Sequence, residues 1–221
     1  FNSTLDKSGE QIRIRRIVEV PLDFHCRYSA SSRSYCYRLA VCKEDSVPTR
    51  NSTRQRPRGA LPIRELYGCQ LVHQPFDVRR VSEACSVFLG TWNFRTFAHD
   101  SKDFKQEGIT EEYFVKTLRR FSLSKIKPDN FVNHFDPISN NFDFYDINIE
   151  GSGFLRRQVR RIVGSLISYG QGVISYEDIL YMLKNPSPQN WNPKSVVASS
   201  HGLFLKSVNY KEIPVLRGPF I

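Results

Sequence analysis

Four arginines stand inside a stretch that otherwise reads as a buried helix, Gly153 to Gly170 (GFLRRQVRRIVGSLISYG). On a wheel of about 100° per residue, Leu155, Val159, Ile162, Val163, Leu166 and Ile167 gather on one face, as in a helix docked on a core. Arg157 and Arg161 fall on the far side and read as a solvated basic face. Arg156 and Arg160 lie at the margin of the apolar stripe, where a guanidinium needs an anion or several acceptors to offset its desolvation. Pattern alone leaves two readings of that pair: a structural ion pair within the domain, or functional arginines facing a carboxylate or a phosphate.

A second chemical neighbourhood runs from Asp23 to Tyr37 (DFHCRYSASSRSYCY), where hydroxyls, Arg27 and Arg33 precede a tyrosine-rich strand. A strand-borne tyrosine can stack on a base through its ring and keep its hydroxyl for proton transfer. The plainer reading, tyrosines alternating into a core, stands beside it. Other constellations are missing from the sequence. It has neither phosphate-binding glycine fingerprint nor a Gly-x-Ser-x-Gly elbow. His25, His73, His99, His134 and His201 form no helical ligand pair, and only His201, beside Gly202, stands in a suggestive position.

The elements that must position these residues follow from periodicity. Ile12–Val20 alternates apolar and basic residues and predicts a half-buried strand ended by Pro21. Arg33–Cys42 predicts a second strand, with Tyr35, Tyr37, Leu39 and Val41 on one face and Cys36, Arg38 and Ala40 on the other. Residues 43 to 64 read as an exposed basic loop. Asp77 predicts the cap of a helix carrying Val78, Val81, Cys85 and Phe88, which ends at Gly90. Tyr113–Ile126 and Asn141–Glu150 read as hairpin partners joined through Pro128 and Pro137. The arginine helix follows, then a shorter helix near Tyr176–Lys184 that ends at Asn185-Pro186, and a closing strand over Gly202–Tyr210. Hairpin strands with interspersed amphipathic helices predict an α+β fold, a mixed, mainly antiparallel sheet with helices on one face.

With 221 residues and 40% hydrophobic content the chain can bury a real core, which excludes a disordered protein. Its 32 Lys+Arg against 22 Asp+Glu, a net charge of +10, suit a polyanionic partner, nucleic acid first and an anionic membrane second. Five cysteines without Cys-x-x-Cys spacing point to a reducing, intracellular compartment and against disulfides and zinc. No apolar run approaches a membrane span. Residue 1 is Phe and the sole methionine is Met182, so the chain is expected to be a piece of something longer.

Taken together, FHCRYSASSRSYCY (Phe24–Tyr37) and FLRRQVRRIVG (Phe154–Gly164) resemble the two signature phrases of the TruA-type tRNA pseudouridine synthases, in the eukaryotic branch. GTWNFRTFA (Gly90–Ala98), Lys116-Thr117-Leu118-Arg119 and HGLFLKSVNY (His201–Tyr210) resemble further segments of that family in the same order. The resemblance implies isomerisation of a uridine in tRNA to pseudouridine, without cofactor or metal. It implies the end of an N-terminal catalytic subdomain over 1–42, the basic loop over 43–64, and a C-terminal subdomain over 65–221. It maps the active-site tyrosine to Tyr35, the active-site arginine to Arg160 and an apolar pocket wall to Leu155. Arg27, Arg33, Phe97 and Lys116 would lie in or beside the RNA groove, and Arg156, Arg157 and Arg161 would serve the RNA backbone or solvent. The family's catalytic aspartate lies in an Arg-Thr-Asp-x-Gly-Val loop, a string this sequence lacks. The implied partner is tRNA, with no membrane and no metal, and the family's bacterial branch admits a homodimer. The rival reading is a non-catalytic RNA-binding relative; a blander one is a basic protein that binds another protein.

Overall fold

The computed structural model describes residues 1–43, 61–62, 65–99, 109–126 and 137–211. The expected basic loop lies almost wholly outside the described residues, as does Pro128. The chain divides into two units, Ser32–Val208 and the pair of end segments Phe1–Ser31 and Asn209–Ile221.

Strands β1 (Ala30–Cys42), β2 (Gln70–Val72), β3 (Gly90–Asn93), β4 (Val115–Ile126), β5 (Phe142–Gly151) and β6 (Leu203–Tyr210) form one sheet. Its order is β2-β1-β5-β4-β3, with β6 also paired to β1. The β1–β5, β5–β4 and β4–β3 pairs are antiparallel and β1–β2 is parallel, so the sheet is mixed and mainly antiparallel, as the pattern predicted. The helices are α1 (Asn2–Lys7), α2 (Val78–Ala84), α3 (Gln158–Gly170) and α4 (Tyr176–Lys184).

Period-2 alternation decides what each sheet face does. Tyr37, Leu39 and Val41 of β1, with Ile147 and Ile149 of β5, join Ile162, Val163 and Leu166 of α3 in the main core, and Tyr35 packs against it. Ile162, Val163 and Leu166 are fully buried, each worth roughly 1.5–3 kcal/mol. That burial holds α3, whose start has no capping side chain. Gly170 ends it where a Cβ would stand 2.6 Å from both Phe76 and Val81, so the helix lies directly on the α2 layer. On the opposite sheet face, Ala40, Cys42, Phe142 and Phe144 form a small cluster with Cys69. Beside it Arg38 meets Asp146 through two bonds of 2.9 and 3.3 Å.

Most predicted elements stand where the sequence put them. Asp77 caps α2 by accepting from the Arg79 and Arg80 amides, and α4 stands at Tyr176–Lys184, where the shorter helix was expected. The strand expected over Ile12–Val20 does not form. Strand geometry needs a ladder of partners, and at Ile14 the backbone of this segment is met instead by the Asn2 side chain. That amide donates to Ile14 O at 3.0 Å and accepts from Ile14 N at 2.9 Å, imitating a single strand pair. Ile12, Ile14 and Ile17 consequently stay exposed.

Candidate active site

The arginine stretch is not one continuous helix. Its first part, Gly153–Arg157, is the turn that carries the chain from β5 into α3. Gly151 begins the approach, where a Cβ would lie 2.8 Å from Leu118 Cδ2 and 3.0 Å from Thr117 O. The turn is locked by Gln158, whose amide N donates to Leu155 O (3.1 Å) while its side-chain Oε1 accepts from Leu155 N (2.8 Å). Gln158 is fully buried, and its Nε2 has no partner among the described residues. Arg157 closes the turn at φ 61°, a left-handed conformation costly for a non-glycine residue.

This turn presents Phe154 and Leu155 to β1. The half-buried Tyr35 ring meets Phe154 edge-on, with centroids 5.0 Å apart and planes at 87°. Leu155 is buried in the core beneath them. Arg160, one turn into the helix, donates from Nε to Ala198 O at 2.6 Å, while Ala198 N donates back to Arg160 O at 3.1 Å. No carboxylate among the described residues pairs with Arg160.

The segment Val196–Ser199 that receives Arg160 is held from several sides. Gly164 lets it in: a Cβ there would stand 1.9 Å from Val196 O. Val196 N donates to Ser168 Oγ (3.1 Å), Ser199 N to Gln70 Oε1 (3.0 Å), and Tyr37 donates its hydroxyl proton to Ser199 O (2.7 Å). Burial pushes the Tyr37 phenol up to about 12, with the Arg160 charge pulling the other way. Tyr37 is therefore a neutral pin, and Tyr35, two residues along the same face, is the open ring. Tyr35 thus meets the β5–α3 turn at Phe154, beside Leu155, while Arg160 is tied through Ala198 and Ser199 to Tyr37 on the same strand.

The remaining expected residues divide. Lys116 is half-buried, with Gly153 passing 3.8 Å from its Cδ at the Cβ position; burial lowers its ammonium from the ordinary lysine value. It donates to Tyr113 O and lies over the Tyr113 ring. Arg33 pairs in register with Gly151, at the start of the same turn. Arg156 and Arg157 are exposed, and Arg157 NH1 stands 3.4 Å from His99 Nδ1. Arg27 lies in the unit of end segments.

Three expectations are corrected. Arg161 is only partly exposed and is held by the protein: its Nη1 donates to Thr96 O (2.9 Å) and Ala98 O (2.7 Å), and its guanidinium stacks over Trp191 at 4.7 Å. A wheel sees one core face, whereas α3 is covered on two. Arg156, placed on the stripe margin by the same wheel, precedes the helix and is exposed. Phe97 is fully buried against Phe88, Phe94 and Trp191, which makes it core rather than groove lining. Sequence reasoning missed Tyr37, Gln158 and Gly164 as organisers of the site. Their signal was the spacing of Gly164 within a helix, which a packing contact explains and a capping rule does not.

The half-buried Tyr35 beside Phe154 and the partly buried Arg160 against Ala198 O thus stand on a mixed, mainly antiparallel sheet covered by α3. The chain belongs to the tRNA pseudouridine synthase family, whose profile matches residues 84–211. It is 33% identical over 213 residues to the human tRNA pseudouridine synthase-like 1, covering 94% of this chain and 63% of that protein. The Xenopus laevis protein of the same description is also 33% identical, over 91% of this chain and 60% of its own length. The tRNA pseudouridine synthase A of Hydrogenobaculum is 30% identical, over 95% and 66% respectively. The chain therefore spans less than two thirds of the length of these relatives.

Proposed function

We propose that this chain is the larger part of a tRNA pseudouridine synthase that isomerises a uridine of tRNA to pseudouridine. The observation that carries the reading is the placement of Tyr35 against the β5–α3 turn that bears Leu155, with Arg160 fixed by one nitrogen in the helix that follows, within a chain whose relatives bear that activity in their names. In the reaction the N1–C1′ bond of the nucleoside breaks, the base rotates, a C5–C1′ bond forms, C5 loses a proton and N1 gains one. Tyr35 stacks on the detached base and stands ready to take the C5 proton. Leu155 backs the base pocket. Arg160, held by one nitrogen on Ala198 O, offers its other nitrogens to a carboxylate and keeps that carboxylate ionised. Arg33, Lys116, Arg156 and Arg157 serve the RNA strand, and the five free thiols suit a reducing compartment.

The Arg-Thr-Asp string that would supply the carboxylate is absent from this sequence. The chain alone is therefore expected to bind tRNA and turn nothing over. Incubation with unmodified tRNA, followed by nucleoside analysis, tests this, and pseudouridine above background would overturn it. The same missing string favours a second reading, a non-catalytic RNA-binding relative. The coding sequence around this chain separates the two, since an Arg-Thr-Asp loop in the same polypeptide excludes the binder.

A further inference from the structure

The segment Phe24–Ser29 is knitted into a turn whose tip stays in solvent. Ser29 N donates to His25 O at 2.8 Å, and Ser29 Oγ accepts from His25 N at 3.0 Å. His25 Nδ1 accepts from Arg27 N (3.1 Å) and Tyr28 N (3.3 Å), so Nδ1 holds the lone pair and the ring proton sits on Nε2, free to donate. The stem of the turn is anchored by the Phe24 ring, 5.0 Å from that of Tyr210, and by the Tyr210 hydroxyl donating to Cys26 O at 2.9 Å. Against this frame the Tyr28 side chain is 77% exposed. The His25 ring lies 4.4 Å from it at 38°. The Arg27 guanidinium stands 5.8 Å from the Tyr28 centroid, at the outer limit of a cation–π contact.

A braced turn that displays an aromatic ring with a guanidinium and an imidazole N–H beside it has the parts of a nucleotide subsite. The ring takes the face of a base, and the guanidinium takes the adjoining phosphate. The subsite is one ring wide, which fits one nucleotide. That nucleotide must be unpaired, because a base inside a duplex has both faces stacked. We propose that the His25–Tyr28 turn is a stacking platform for one unpaired nucleotide of an RNA strand. The proposal rests on the RNA-binding reading above and adds a subsite to it.

Binding of tRNA, of a single-stranded RNA oligomer and of a fully paired RNA duplex, each measured against salt, tests it. Tyr28→Ala is expected to weaken tRNA and oligomer binding by about 5- to 100-fold without changing the salt slope, since no phosphate contact is lost. Tyr28→Phe restores the affinity, and the duplex does not respond to either change. Arg27→Ala lowers the salt slope by about one instead. Tyr28 lies at the surface, and unchanged far-UV circular dichroism confirms that the variant folds. Equal tRNA affinity for Tyr28→Ala and the unchanged chain overturns the platform alone. An unchanged chain with no salt-dependent tRNA affinity overturns the RNA reading and the platform with it.

Discussion

Helix α4 starts on Ser175, whose hydroxyl accepts from the Asp178 amide while the Asp178 carboxylate accepts from the Ser175 amide. Glu177 and Asp178 then place negative charge at the positive end of the helix dipole. Helix α3 starts on Arg157 in a left-handed conformation, with no side-chain cap, no acid in its first turn, and arginines at 156, 157, 160 and 161. One start satisfies every local rule for stability, and the other breaks several at once. Local rules broken together, next to the candidate catalytic arginine, mark where the fold gives up stability for a site. The core contacts of Ile162, Val163 and Leu166 hold α3 in place despite its start.

The largest effect is expected at Gly164, where the Val196 carbonyl closes directly on the α3 backbone. Gly164→Ala pushes a methyl into Val196 O and should cost about 3 kcal/mol or more, read by denaturant unfolding. If the cost is small, the segment is not clamped and Arg160 is less fixed than described. The Tyr37 pin gives the next effect. Its phenol is raised from 10.0 to about 12 in the fold, so its contribution is intact below pH 10 and declines as pH rises towards 12, because only the unfolded chain releases the proton there. The loss is about 2–3 kcal/mol, and Tyr37→Phe should remove that part of the alkaline decline. The half-buried thiol of Cys36 and the buried thiols of Cys69 and Cys85, raised from 9.0 to about 11, 12 and 12, add a decline of the same sign that begins near pH 9.

Smaller changes compare the two helix starts directly. Ser175→Ala removes the capping box and should lower stability by about 1 kcal/mol while leaving tRNA affinity alone. Arg157→Gly should do the reverse. Relief of the left-handed strain leaves stability level or higher by up to about 1 kcal/mol, and the salt dependence of tRNA binding falls by about one unit of slope. Equal losses of stability at both positions would erase the contrast between them.

Period and capping made most of the fold legible. The β4–β5 hairpin, the two faces of β1, the Asp77 cap and the span of α4 all follow from local pattern. The short edge strands β2 and β3 did not, since three or four residues carry too little periodicity and exist because β1 and β4 offer them ladders. Ile12–Val20 failed in the opposite sense, having the pattern without a partner. In the candidate site, Tyr35 and Arg160 are the residues that the family phrases point to. The second covered face of α3 was not legible: Arg161 is held by Thr96, Ala98 and Trp191, residues 30 to 65 positions away that no wheel includes.

The Val196–Ser199 segment belongs to no helix or strand, yet the amides of Val196, Ala198 and Ser199 are all bonded to side chains or backbone of other elements. Its hydrogen exchange should therefore follow the opening of α3 rather than the fast fluctuations of a surface loop. A stretch of coil would then exchange its protons on the timescale of the core, and ligands that rigidify α3 would slow it further.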